Sequence, residues 1–93
     1  MNEIKQTIEN TIKAFEHQNF LLFIKHLLTL RDEVVKVDPE NTDPGLVDLI
    51  MDENAISWAI SSIGRAPIEN DWIAAGYIAA DLKEILENIN KNG

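Results

Sequence analysis

Ile4, Ile8, Ile12 and Phe15 follow one another at spacings of four, four and three residues. At 3.6 residues per turn they share one side of a helix, leaving Glu3, Lys5, Glu9, Lys13 and Glu16 to face water. This pattern predicts a helix over about residues 2–17. A second apolar series, Phe20, Phe23, Ile24, Leu27, Leu28, Leu30, Val34 and Val35, is too broad for a half-exposed stripe. It predicts a central helix over about 20–36, buried on more than one side. Gln18-Asn19 is the only break between the two, so they form a tight antiparallel pair or, as the alternative, one long kinked element.

From Val37 to Pro44 the apolar period disappears, and Pro39 and Pro44 each disfavour helix at the preceding residue. This stretch reads as the main interior loop. Asp43 then supplies an N-cap oxygen and Pro44 the preset dihedral of a first helical position, predicting a short helix that turns Leu46, Leu49 and Ile50 inward and ends near Asp52. Asn54 is the expected cap of a fourth helix carrying Ile56, Ala59, Ile60 and Ile63, with Gly64 as its terminator. Residues 44–63 are equally compatible with one bent helix. After Arg65-Ala66-Pro67-Ile68-Glu69, Asn70 or Asp71 is placed to cap the last helix. There Trp72, Ala75, Ala79, Leu82, Leu86 and Ile89 recur with a seven-residue period to about residue 89. Small residues in its first half, including Ala75, Gly76 and Ala79, permit close approach of another backbone, expected to be that of the second helix. Lys91-Asn92-Gly93 is expected to be a frayed tail. The expected fold is an all-α, single-domain bundle of four or five helices.

Composition narrows the class without naming a reaction. The chain of 93 residues suits one core, and 45% hydrophobic with 26% charged residues is globular usage, away from the range of disordered chains. There is no cysteine, which removes disulfides, thiolate metal sites and cysteine nucleophiles. No basic start leads into an apolar run and no stretch approaches a membrane span, so a soluble, cytoplasmic protein is expected.

Charge changes the picture more. Asp38, Glu40, Asp43, Asp48, Asp52, Glu53, Glu69 and Asp71 stand against Arg65 alone in residues 38–71, a net −7 out of −8 for the whole chain. One reading is a solvated, soluble face in which Asp43 and Asp71 serve as helix caps. The other is a negative surface that speeds association with a basic protein, with Trp58 as an aromatic anchor near its edge. Trp58 is offset from the Ile56, Ala59, Ile60 and Ile63 face, whereas Trp72 begins the buried stripe. Direct nucleic-acid binding is disfavoured, because it relies on clustered Lys and Arg.

Catalytic and metal motifs are not apparent. His17 and His26 flank the Gln18-Asn19 break and cannot share one helical face as a metal pair; each reads as a surface or helix-end histidine. Asp48 and Asp52 project together, as metal carboxylates do and as solvated ones also do. The acidic loop fails as a calcium loop, since its sixth position from Asp38 is Asp43 rather than glycine and its twelfth is Leu49 rather than glutamate. Ser57, Ser61 and Ser62 lack a nucleophile-elbow context, and the four glycines are too scattered to cradle a phosphate. No cofactor, metal or catalytic residue is expected.

A short, acidic, cysteine-free helical chain of this kind resembles bacterial immunity proteins that neutralise toxins by direct binding, those of contact-dependent inhibition and nuclease-colicin systems. The resemblance is one of size, charge and helical plan. The segment Thr42-Asp43-Pro44-Gly45-Leu46-Val47-Asp48-Leu49-Ile50 looks like the loop-to-short-helix region of colicin-type immunity proteins. It lacks their paired tyrosines after the short helix, so their binding residues do not transfer. The resemblance implies a toxin domain, of nuclease type, as the basic partner. The alternatives are a nucleic-acid mimic or adaptor for another basic protein, a structural or oligomerisation module using the alanine-rich last helix, and a carboxylate-based enzyme.

Overall fold

In a computed structural model that describes residues 2–37, 42–65 and 68–92, the chain forms five α-helices and, among those residues, no strand. They are α1 (Asn2–Glu16), α2 (Phe20–Lys36), α3 (Pro44–Met51), α4 (Glu53–Ser62) and α5 (Glu69–Asn92). Of Asn2, Glu53 and Asn92 only the backbone is described. The all-α bundle read from the apolar periods is present, with residues 44–63 divided into two helices at Asp52. Most of the proline-containing loop, residues 38–41, lies outside the described residues.

The α1–α2 turn is as tight as three residues allow. Gln18 adopts φ 59°, the left-handed conformation, its N–H donates to Phe15 O and that of Asn19 to Ala14 O, both at 2.9 Å. This is the paired closure of a helix C-terminus that ordinarily calls for glycine. Asn19 at once begins the next helix, its Oδ1 accepting from Leu22 N at 3.3 Å. The two helices therefore form the antiparallel pair, and it is the most extensively packed pair in the molecule. Thr7 on α1 donates its hydroxyl to Glu3 O or to the carboxylate of Glu33 on α2, and buried Thr11 donates to Thr7 O at 2.7 Å.

Helix α2 runs through the middle and packs on α1, α3 and α4. Phe23, Ile24, Leu27 and Leu30 are sealed from solvent. Side chains of this size contribute about 1.5–3 kcal/mol each on burial. Val35, expected inside, is exposed, because Val34 already occupies the core-facing position and successive helical residues diverge by about 100°. An aromatic cluster links four helices: Phe20 meets Trp72 at 5.2 Å between ring centroids and Trp58 edge-on at 5.9 Å, while Phe15 meets Phe23 at 5.8 Å and Trp72 at 6.3 Å.

Several expectations about the second half require correction. Ile60 and Ile63 are exposed; α4 buries Ile56, Ala59 and Ser62 instead, and Ile63 lies just past the helix end, followed by Gly64 at φ +82°. A helix of ten residues packed mainly on α2 and α3 buries one narrow line. Helix α5 makes its main contacts with α1 and α3, not α2. Its regular stripe identifies the buried face but not the helix opposite. The room at Gly76 is taken by Phe15 of α1, whose Cζ would lie 3.6 Å from a β-carbon there. The 24 residues of α5 reach Asn92, three beyond the expected end. At about 1.5 Å per residue they account for the 37 Å long axis of the molecule.

Candidate protein-binding groove

The acidic residues of α3 are arranged by its capping chemistry. Asp43 Oδ1 accepts from Gly45 N at 2.8 Å and Leu46 N at 3.2 Å, and Pro44 occupies the first helical turn. Asp48 follows on the exposed side, and Asp52 terminates α3 while its Oδ1 accepts from Asn54 N at 2.9 Å to cap α4. Asp52 thus takes the capping role expected of Asn54, which is one of the first residues inside α4.

The opposite wall comes from α5, where Asp81, Glu84 and Asn88 recur on one side. Between the walls runs an open groove of about 600 Å³, whose lining also includes Leu49, Ile85, Pro44 and Gly45. Gly45 permits this junction: a β-carbon there would stand 3.7 Å from Ile85 Cγ1 and only 3.1 Å from the Asp43 cap oxygen. Among the described residues five carboxylates line the groove and no Lys, Arg or His does. Asp48, Asp81 and Glu84 are exposed and have no hydrogen-bond or ion-pair partner among the described residues. Charges within one groove act together at physiological salt, where screening extends over about 8 Å. Among the described residues no three carboxylate or histidine side chains stand close enough to hold a metal ion.

The remaining acids expected at this surface are distributed differently. Asp71 is buried at 3% exposure. Its Oδ1 accepts from Trp58 Nε1 at 3.2 Å and pairs with Arg65 Nη2 at 3.0 Å, and its Oδ2 accepts from Ile68 N at 3.2 Å. Asp71 therefore sits three residues inside the start of α5 and reaches back to the cap residue, the reciprocal half of a capping box. It contributes no charge to the groove. Trp58, half-buried between this carboxylate and Phe20, does not line the groove either. Glu69 is exposed in the first turn of α5, away from the groove lining. Asp38 and Glu40 lie outside the described residues, as does the side chain of Glu53. Tyr77 is 71% exposed, with exposed Ile73 one turn before it.

Asp81 and Glu84 are the contribution that sequence reasoning missed. They fall in the part of the chain where acids and bases nearly balance, so a segment-by-segment charge count passes over them. Their signal is the three-residue spacing on one face of α5, which acquires meaning only once α3 is known to pack there.

No family model, curated protein or solved structure matches the chain. Among the described residues, no helix is long and apolar enough to cross a membrane.

Proposed function

We propose that the chain is a non-catalytic binding protein whose α3–α5 groove receives a basic protein surface, and that it acts as a cytoplasmic bacterial immunity protein against a toxin of nuclease type. The observation that supports this reading is the convergence of Asp43, Asp48 and Asp52 with Asp81 and Glu84 around one groove that holds no compensating base among the described residues. A nuclease binds its phosphate-rich substrate through Lys and Arg, and that surface attracts an acidic inhibitor. Leu49 and Ile85 in the lining add contact that long-range attraction alone does not supply.

The test compares two baits in a low-salt lysate of the encoding organism: the natural chain and an Asp48→Asn/Asp81→Asn/Glu84→Gln variant. A basic protein retained by the first and released by the second, whose toxicity and nuclease activity are blocked by the natural chain, is the expected result. If the two baits recover the same proteins, the groove reading fails. If the groove-dependent partner has no toxic activity, binding stands and immunity gives way to the adaptor or mimic alternative.

A further inference from the structure

A second cavity, of about 370 Å³, opens between α1 and α2. Asn10, Lys13 and His17 line it from one side and Asn19, Leu22 and His26 from the other, each set stepping by three and four residues. The two histidines, nine residues apart in sequence and on no common helical face, are brought to one cleft by the tight turn at Gln18. In a chain of net charge −8, no carboxylate of the described residues lines this cleft.

The polar lining consists of unused donors. The side chains of Lys13, His17 and His26 have no hydrogen-bond or ion-pair partner among the described residues. Asn10 Oδ1 already accepts from Gln6 Nε2 at 3.1 Å and Asn19 Oδ1 from Leu22 N at 3.3 Å, which leaves the two carboxamide NH2 groups to donate. An ammonium group with no carboxylate among the described lining residues makes the cleft unfavourable for a cation. Donors from two helices surround a space where a group with acceptors in several directions is accommodated.

We infer that the α1–α2 cleft binds a phosphate-class oxyanion. Lys13 supplies the positive charge, His17 and His26 supply imidazole N–H donors, and Asn10 and Asn19 complete the shell. A tetrahedral oxyanion uses donors from both helices at once, whereas a planar carboxylate presents acceptors in one plane. The cleft shares no residue with the α3–α5 groove, so its outcome is independent of the protein-binding proposal.

The experiment titrates the 15N-labelled full chain with inorganic phosphate at about pH 6.5, chloride holding ionic strength constant, with acetate as a parallel series. The expected result is saturable shifts centred on the side-chain amides of Asn10 and Asn19 and the imidazoles of His17 and His26, absent with chloride and weak with acetate. A Lys13→Gln/His26→Gln variant should bind about tenfold more weakly or worse. Its circular dichroism should be unchanged; if it is not, Lys13→Gln alone, at an exposed position, becomes the deciding comparison. Shifts that never saturate, that acetate reproduces, or that survive these substitutions overturn the assignment.

Discussion

The indole Nε1 of Trp58 donates to Oδ1 of Asp71 at 3.2 Å, joining the last turns of α4 to the first turn of α5. The same carboxylate holds Arg65 Nη2 and the backbone N–H of Ile68, and Arg65 also reaches Ser62 Oγ at 3.1 Å and Ser61 O at 3.2 Å. One buried acid thus satisfies the Trp58 indole N–H and the helix-start N–H of Ile68 and supplies the counter-charge of Arg65. The connection fixes how α5 enters the bundle, and α5 forms the second wall of the acidic groove.

Asp71→Ala should be among the most damaging single changes in the protein. It leaves the Trp58 indole and the Ile68 N–H unsatisfied and half-exposed Arg65 without its counter-charge, at a cost of about 1–3 kcal/mol. Asp71→Asn keeps an acceptor and should cost less. Thermal denaturation followed by tryptophan fluorescence measures both; equal stability of the alanine variant and the natural chain would show that the network adds nothing.

Gln18→Gly should stabilise the protein. Gln18 holds φ 59° at the helix-ending position, where a side chain costs about 1–2 kcal/mol and glycine does not. Glycine also gains freedom in the unfolded chain, so the net effect should be about 0.5–1 kcal/mol. In a chain of this size that is a rise of about 2–8 °C in Tm. A lower midpoint in urea for Gln18→Gly would contradict the strain argument.

Elements with their own local signals are legible in the residue pattern. The broad apolar series over 20–36 marks α2 at its observed limits, and the Asp43-Pro44 pair marks the start of α3 because capping is decided within four residues. Features that depend on partners distant in sequence are not legible in this way. The stripe of α5 suggests α2 as its neighbour, and only the arrangement of Phe15 against Gly76 shows α1 there. For the same reason half of the groove, Asp81 and Glu84, is invisible to a linear charge count, while Asp71 counts as surface charge although it is internal.

Gly76 and Gly64 should respond oppositely to alanine. Gly76 lies inside α5, and a β-carbon there meets Phe15 Cζ at an ordinary van der Waals distance of 3.6 Å. Gly76→Ala therefore removes a helix-interior glycine penalty of about 0.5–1 kcal/mol without a clash. Gly64 has open space but φ +82°, so Gly64→Ala should destabilise by about 1 kcal/mol through backbone strain alone. Differential scanning calorimetry of the two variants against the natural chain gives the sign of each; the same sign for both would refute this distinction between space and dihedral.

The groove itself is tested by separating its free carboxylates from its caps. Asp43 and Asp52 hold the first turns of α3 and α4, so replacing either by alanine should cost about 1 kcal/mol of stability whatever the partner does. Asp48, Asp81 and Glu84 have no such duty among the described residues, and neutralising them takes the formal net charge from −8 to −5 without removing a hydrogen bond. Asp48→Asn/Asp81→Asn/Glu84→Gln should therefore keep its Tm and helicity. Because long-range attraction acts on encounter, the triple variant should associate with the basic partner about tenfold more slowly at low salt, with a smaller change in dissociation. Raising the salt should slow the natural chain more than the variant and bring their association rates together, since both then rely on short-range contact with Leu49 and Ile85. Stopped-flow mixing across a salt series measures this convergence. Parallel salt dependences for the two proteins would show that attraction arises elsewhere on the molecule and that the groove carboxylates are only a solvated face.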